Sequence, residues 1–132
     1  MKILLVEDDI MLNEMITEYI TSTGHAIKNA KTGLEALEIL EKEKFDLLVL
    51  DINLPDIDGF TILEKMHEQK RMIPTIYISA LIDIEDISRA FDLGCFDYLK
   101  KPFHLKELTL RINKILKTRI VPQNHKRLSK NY

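Results

Sequence analysis

Short apolar runs alternate along the chain with segments in which apolar residues recur every three or four positions. The short runs are rich in Ile, Leu and Val, which is typical of buried strands, whereas the longer period is that of amphipathic helices. Together they predict five strands, each followed by a helix. The predicted strands are residues 2–6, 25–30, 45–50, 74–79 and 95–99. The clearest helical stripe is the last one, comprising Leu105, Leu108, Ile112, Ile115 and Leu116.

This alternation predicts an α/β domain, in which right-handed crossovers place helices on both faces of a parallel sheet. A chain of 132 residues has room for one such domain. The periodic pattern ends near residue 118, so residues 1–118 are predicted to form the domain and residues 119–132 a linker or tail. Ligands of such sheets bind at the carboxyl ends of the strands.

Polar residues end or follow four of the five predicted strands. Acids follow the first strand, one acid follows the third, the fourth ends at a hydroxyl, and lysines follow the fifth. These residues are Glu7, Asp8, Asp9, Asp51, Ser79, Lys100 and Lys101. Because the carboxyl ends of parallel strands meet at one edge of the sheet, we expect these side chains to converge.

Such a group of side chains has a restricted chemistry. Clustered carboxylates repel one another and need a cation, and oxygen ligands favour a hard ion such as Mg²⁺. A carboxylate can also attack phosphorus and form an aspartyl phosphate, while a metal ion and a lysine neutralise the phosphoryl oxygens. The pattern therefore indicates a phosphoryl-accepting site.

Each residue has a simpler interpretation when it is taken alone. Acids after a strand are often helix N-caps, so Asp8 or Asp9 could begin the first helix. Ser79 could cap a strand end, and Lys101 could be a surface charge. Asp51 is harder to explain in this way, because it follows an apolar strand end where an unpaired charge is costly. The occurrence of all of them at successive strand ends favours a site.

Charge distribution and cysteine content bear on the partners and the cellular compartment of the protein. Residues 1–103 hold 20 acids and 11 lysines and arginines, whereas residues 104–132 hold one acid and eight basic residues. This asymmetry indicates a contact face or a linker, or else a solvated basic helix and tail. The single cysteine, Cys95, excludes an internal disulfide and is consistent with the cytoplasm. The sequence has no signal-peptide pattern and no apolar run of membrane-spanning length, so no membrane partner is expected.

The chain resembles the CheY-like receiver domain of two-component response regulators from residue 2 to about residue 118. The matching motifs are LLVEDD (4–9), LDINLPDIDGF (50–60), ISA (78–80) and DYLKKPF (97–103), in the family's order and spacing. The resemblance implies a flavodoxin-like (βα)5 fold, with a five-stranded parallel sheet of order 2-1-3-4-5.

The resemblance also implies a role for each acid at the strand ends. Asp51 would accept a phosphoryl group from a sensor histidine kinase. Asp8, Asp51 and the backbone carbonyl of Asn53 would bind Mg²⁺ or Mn²⁺, and Glu7 would act mainly through water. Asp9 falls one position beyond the family's acidic pair and is left out of this set.

A second group of residues would respond to the phosphoryl group. Lys101, joined to Pro102 by an expected cis peptide bond, would contact it together with Ser79 and the backbone N–H of Ala80. Ser79 would move toward the phosphoryl group, and Tyr98 would turn inward to fill the space. These movements would reshape the face formed by the fourth helix, fifth strand and fifth helix.

The domain would be a phosphoacceptor rather than a conventional enzyme. It would catalyse its own phosphorylation and then lose the phosphoryl group slowly. Asn53 is polar, but Leu81 lies two positions after Ser79 and cannot orient an attacking water. These two positions indicate moderate to slow self-dephosphorylation.

The resemblance is to receivers of OmpR/PhoB-type transcription factors, which pair through the reshaped face. The predicted fourth helix, residues 82–93, is acidic and the fifth is basic, so two subunits could form a homodimer with complementary charge. The residues expected on this face are Asp92, Asp97, Glu107 and Arg111. Ile87 departs from the family pattern, since a basic residue is usual there.

Three functions remain open from the sequence. The first is the receiver of a transcription regulator that binds DNA only through an absent C-terminal domain. Residues 1–103 carry a net negative charge, so this chain is not expected to bind DNA itself. The second is a stand-alone receiver that acts in a phosphorelay or docks a protein partner. The third is a Mg²⁺-dependent phosphatase with an aspartyl nucleophile. Asn53 disfavours the third, because such enzymes usually carry a second aspartate at that position.

Overall fold

The computed structural model describes residues 1–80 and 83–120, without the side chains at 95, 116 and 118–120. Strands and helices alternate over these residues. The elements are β1 (Lys2–Val6), α1 (Ile10–Ser22), β2 (Ala26–Ala30), α2 (Gly33–Lys42), β3 (Leu47–Asp51), α3 (Gly59–Glu68), β4 (Thr75–Ser79), α4 (Ile84–Asp92), β5 (Cys95–Lys100) and α5 (Leu105–Ile120). Every strand pair is parallel, and the order β2-β1-β3-β4-β5 confirms the predicted flavodoxin-like (βα)5 fold.

Alternate strand residues point to opposite faces of the sheet, and helices cover both faces. On one face, Leu4 of β1 belongs to the same buried cluster as Leu63 of α3. On the other face, Ile3 shares a cluster with Ile16 of α1 and Ile112 of α5. Among the described helices, none is both long enough and apolar enough to cross a membrane.

The structure moves several predicted boundaries by one or two residues. Asp51 is the last residue of β3 and pairs in register with Ile78, so the acid lies within the sheet rather than after it. In the described residues α4 begins at Ile84, two positions later than predicted. The α5 backbone continues to Ile120, two residues into the predicted tail. The remaining tail, 121–132, lies outside the described residues, so its role as a linker stays a prediction.

Side chains in the loops after strands begin four of the described helices, including α4, which Asp83 caps. Asp9 accepts a hydrogen bond from the N–H of Leu12 at 3.1 Å, and Asp58 accepts one from Thr61 at 2.9 Å. Thr32 caps α2 in the same way. Each cap satisfies a backbone N–H that has no partner within its own helix. The N-cap interpretation of Asp9 is therefore correct.

A third acid, Asp56, ties the loop after β3 to the start of α2. Its two carboxylate oxygens accept hydrogen bonds from the N–H groups of Gly33 and Leu34 at 2.9 and 2.8 Å. Burial opposes the charged form, but these backbone hydrogen bonds outweigh it and lower the pKa of Asp56. A Cβ atom at Gly33 would lie 2.2 Å from Cγ1 of Ile57, so any larger residue there would force the side chain of Ile57 to move.

Replacing Asp56 with alanine should lower the free energy of unfolding by about 1–2 kcal/mol, because the N–H groups of Gly33 and Leu34 lose their acceptors. The pKa of Asp56 is lowered in the folded state, so the charged carboxylate stabilises the fold above the ordinary value of 3.8. The difference in unfolding free energy between wild type and variant should therefore be largest at neutral pH and should shrink as the pH falls below 3.8. Urea denaturation at several pH values measures it. Asp56→Asn retains one acceptor and should lose less, and equal losses for the two variants would contradict this account.

Candidate functional site

The sheet order brings polar strand ends together at one edge. Because β3 lies between β1 and β4, Asp51 is next to the acids that follow β1 and to Ser79 at the end of β4. Ser79 pairs in register with Lys100 of β5, so Lys101 follows beside it. The topology therefore gathers the acids, the hydroxyl and the lysine at one place, as the sequence predicts.

Three carboxylates form a compact cluster at this edge. Glu7, Asp8 and Asp51 each offer an oxygen atom within 4.8 Å of the other two. Glu7 is fully buried and Asp51 is 2% exposed, whereas Asp8 is open to solvent. The backbone N–H of Asp9 donates to Oε2 of Glu7 at 3.0 Å, while the carboxylate of Asp9 caps α1 instead of joining the cluster.

Lys101 supplies the positive charge of the cluster. Its Nζ lies 2.9 Å from Oδ2 of Asp51 and 2.7 Å from Oε1 of Glu7. Burial acts to lower the pKa of Lys101, but the two carboxylates outweigh it, so the pKa is raised. Burial also raises the pKa of Glu7 to about 7, although Lys101 acts in the opposite direction. One ammonium thus contacts two of the three clustered carboxylates, and the site favours a further cation.

Backbone groups fix the orientation of the acceptor and the lysine. Oδ1 of Asp51 accepts a hydrogen bond from the backbone N–H of Asn53 at 3.0 Å. The N–H of Lys101 donates to the carbonyl of Ser79 at 2.8 Å, which ties the loop after β5 to β4. The Lys101–Pro102 peptide bond is cis, as the resemblance implies. Both carboxylate oxygens of Asp51 therefore have partners.

Gly59 allows α3 to begin directly against the end of β3. A Cβ atom there would lie 2.8 Å from the carbonyl oxygen of Asp51 and 3.0 Å from Cα of Ile52. The N–H of Gly59 donates to the carbonyl of Ile52 at 2.8 Å. Close packing beside the site thus requires glycine at position 59.

The predicted switch residues lie in different environments. Ser79 is fully buried, and its Oγ accepts a hydrogen bond from Nδ2 of Asn53 at 3.1 Å. Tyr98 is half-buried, and its ring centroid lies 6.3 Å from that of Tyr77, its register partner on β4. Leu81, on which the predicted phosphoryl lifetime depends, lies outside the described residues.

An open cavity of about 540 Å³ adjoins the site between α1 and the loop after β5. Ala80 and Lys101, which line this cavity, also belong to the site. Most of its wall is apolar, and Met11 and Met15 are more than half exposed. The remaining lining residues are Asp9, Leu12, Pro102 and Phe103. An apolar surface therefore lies beside the charged cluster.

Three of the four residues predicted for a dimer face contact one another within the chain. Nη1 of Arg111 lies 2.6 Å from Oδ1 of Asp97, and Nη2 lies 3.6 Å from Oε2 of Glu107. The hydrogen bond with Asp97 raises the pKa of Arg111. Asp92 is the exposed last residue of α4 and takes no part in this group of described contacts. Pairing across a dimer stays a prediction.

Two roles in and near the site could not be read from the sequence. Asp56 lies in the loop after β3, but its carboxylate caps α2. Asn53 was predicted to act through its backbone carbonyl, but its side chain also binds Ser79. Both contacts join residues more than twenty positions apart, and no local pattern signals them.

Comparison with known proteins identifies one family. Residues 3–113 match the response regulator receiver domain. The chain is 38% identical over 117 residues to the probable transcriptional regulator ycf29 of Pyropia yezoensis, and 40% identical over 114 residues to the transcriptional regulatory protein CrdR of Helicobacter pylori. These alignments cover 87% and 86% of this chain but 53% and 54% of the relatives. The chain therefore spans about half the length of the curated relatives that it matches.

A solved structure agrees with this assignment. The non-phosphorylated HemR receiver domain from Leptospira biflexa is 36% identical and superposes with a TM-score of 0.82, covering 86% of this chain and 92% of that one. The fold, the strand-end residues and the sequence match point to the same family. The chain belongs to the response regulator receiver domain family of two-component systems.

Proposed function

We propose that the protein is a phosphorylation-activated switch in which Asp51 accepts a phosphoryl group from a sensor histidine kinase. The observation that carries this proposal is the setting of Asp51, a buried strand-end carboxylate with Lys101 at 2.9 Å and two further carboxylates beside it. Burying such a cluster costs stability, so a chemical role is the better explanation. Family membership supports it, since response regulators are phosphorylated by sensor histidine kinases.

In the proposed reaction, one carboxylate oxygen of Asp51 attacks the phosphorus of a phosphohistidine on the kinase. A phosphorus–oxygen bond forms as the phosphorus–nitrogen bond breaks, and the histidine nitrogen keeps the electron pair and takes a proton from solvent. Lys101 remains beside the carboxylate and neutralises charge on the phosphoryl oxygens. The chain thus acts as a phosphoacceptor that assists its own modification, and it later loses the group slowly.

Asp8, Asp51 and the backbone carbonyl of Asn53 would hold Mg²⁺ or Mn²⁺, and Glu7 would act through water. When it is bound, such a cation neutralises charge on the phosphoryl oxygens. The residues fit a hard ion because their donors are oxygen atoms and their negative charge exceeds that of Lys101.

The phosphoryl group carries up to two negative charges, which draw the hydroxyl of Ser79 and the N–H of Ala80 toward it. Tyr98 then turns into the space that Ser79 leaves, and the α4-β5-α5 face changes. The packing of α4 suits such a movement, because Ala90 is its only buried side chain among those described. Ile84 and Phe91 are more than half exposed. An element with few buried contacts can shift at low cost.

The apolar cavity beside the site suits a protein donor. A partner surface that carries phosphohistidine could cover Met11, Met15 and Phe103 while its histidine reaches the cluster through the end lined by Lys101. Burial of apolar area would supply binding energy that a small phosphodonor lacks. A sensor kinase should therefore phosphorylate the protein faster than acetyl phosphate does at equal concentration.

The proposed output is transcription. Both relatives described above are named as transcriptional regulators, and the aligned residues make up only 53% and 54% of their lengths. A further, C-terminal domain would supply the contact with DNA. Phosphorylation would favour a homodimer through the α4-β5-α5 face. Because Arg111 already binds Asp97 and Glu107 of its own chain, pairing across a dimer would have to exchange these bonds.

Stoichiometry of phosphoryl incorporation tests the proposed function. The protein is incubated with Mg²⁺ and acetyl phosphate, and bound phosphoryl groups and released phosphate are measured over time. We expect incorporation to approach one phosphoryl group per chain, with slow release, and EDTA to prevent it. Rapid, repeated hydrolysis of a simple phosphomonoester without a stable adduct would instead indicate a phosphatase.

A further inference from the structure

Asn53 makes two hydrogen bonds that join the proposed acceptor to the proposed switch residue. Its backbone N–H donates to Oδ1 of Asp51 at 3.0 Å, and its side-chain Nδ2 donates to Oγ of Ser79 at 3.1 Å. Ser79 is buried at the end of β4, whereas Asn53 is exposed in the loop after β3. The amide therefore links the acceptor loop to the neighbouring strand.

The proposed switch needs the same hydroxyl for another contact. Ser79 has to move toward Asp51 so that its hydroxyl can donate to a phosphoryl oxygen. A hydrogen bond weakens steeply as its atoms separate beyond about 3.5 Å. A displacement of Oγ away from Nδ2 therefore costs the bond with Asn53. The resting and responding arrangements differ in this contact.

We propose that Asn53 is a positioning residue that tethers Ser79 in the resting state and so reduces the response to a phosphoryl group. The inference rests on the proposed function. The amide donates to Oγ only while Ser79 holds its resting position, whereas the phosphoryl group accepts from the hydroxyl after Oγ has moved, so loss of the amide favours the responding arrangement. The net stabilisation from one intramolecular hydrogen bond corresponds to about a fivefold change in the equilibrium constant between the resting and responding arrangements.

Asn53→Leu is the variant that tests the tether most cleanly. Leucine has a similar size but no amide, and the position is exposed, so the fold should tolerate it. The backbone N–H that binds Asp51 is kept. Thermal unfolding of each variant checks that it folds.

The experiment is a double-mutant cycle with beryllofluoride, which mimics a phosphoryl group on a carboxylate. The complete chain is titrated in Mg²⁺ as wild type, Asn53→Leu, Ser79→Ala and the double variant, and backbone amide NMR signals report saturation. We expect Asn53→Leu to lower the half-saturating concentration about fivefold in the wild-type background. In the Ser79→Ala background the same substitution should change it by less than about twofold.

The possible results distinguish failure of the proposed Asn53–Ser79 tether from failure of the proposed function. An unchanged or raised half-saturating concentration in Asn53→Leu overturns the tether. Equal shifts in both backgrounds also overturn it, because Asn53 would then act on the analogue without Ser79. If the wild-type chain binds no beryllofluoride, the proposed function fails, and the inference fails with it.

Discussion

Asp51→Asn is expected to leave the protein unable to take a phosphoryl group from acetyl phosphate or from a histidine kinase. The side-chain amide has nearly the same shape as the carboxylate, but it carries no charge and its nitrogen is a poor nucleophile. Removing the nucleophile of a hydrolase lowers its rate by about a millionfold, so incorporation should fall below detection. Intact-mass measurement after incubation with the donor and Mg²⁺ checks this.

The chain offers matched controls for this substitution. Asp9→Asn and Asp58→Asn change the same functional group close to the site, and asparagine is as good an N-cap as aspartate. Both variants should be phosphorylated like the wild type, because neither carboxylate belongs to the cluster. Wild-type incorporation in Asp51→Asn, or its loss in the two controls, would contradict the assignment.

Lys101→Met is expected to lower the free energy of unfolding by about 3 kcal/mol at neutral pH in EDTA, at the lower end of the range for breaking a buried ion pair. The lysine side chain is 20% exposed, but its partners Glu7 and Asp51 are buried and would lose their only protein cation among the described contacts. Methionine retains the apolar stem. Urea denaturation measures the loss, and Mg²⁺ should restore part of it by binding the folded cluster.

The neighbouring residue supplies the control for Lys101. Lys100 is exposed at the end of β5, so Lys100→Met should change stability by no more than about 0.5 kcal/mol. The cost of Lys101→Met should also be smaller in an Asp51→Asn background, since one of the two unpaired charges is then absent. Equal costs for the two lysine variants would show that charge pairing in the cluster contributes little to stability.

Much of the site could be predicted because it depends on local pattern and sheet geometry. An apolar run that stops at Asp51 predicts both a buried strand and an acid at its tip. Parallel pairing then places Ser79 and Lys101 beside it without any knowledge of side-chain detail. The strand order itself followed from the family resemblance, since alternation of strands and helices is compatible with several orders.

The contacts that escaped prediction join distant segments through single polar atoms. Asp56 caps α2 across 23 positions, and Asn53 reaches Ser79 across 26. Hydrophobic periodicity carries no information about such bonds, because exposed loop residues do not contribute to it. Asp97 and Arg111 were identified as an acid and a base of one face, but only the folded chain pairs them within one molecule.

The position of the phosphoryl group is the most direct test of the central claim. The complete chain is phosphorylated with acetyl phosphate and Mg²⁺ and then reduced with borohydride, which converts aspartyl phosphate into homoserine. Peptide mass spectrometry reads the converted residue. We expect homoserine at position 51 and aspartate at positions 8, 9, 56 and 58. Homoserine at any of those four positions with Asp51 intact, or no homoserine anywhere in the chain, would contradict the assignment of Asp51 as the phosphoryl acceptor.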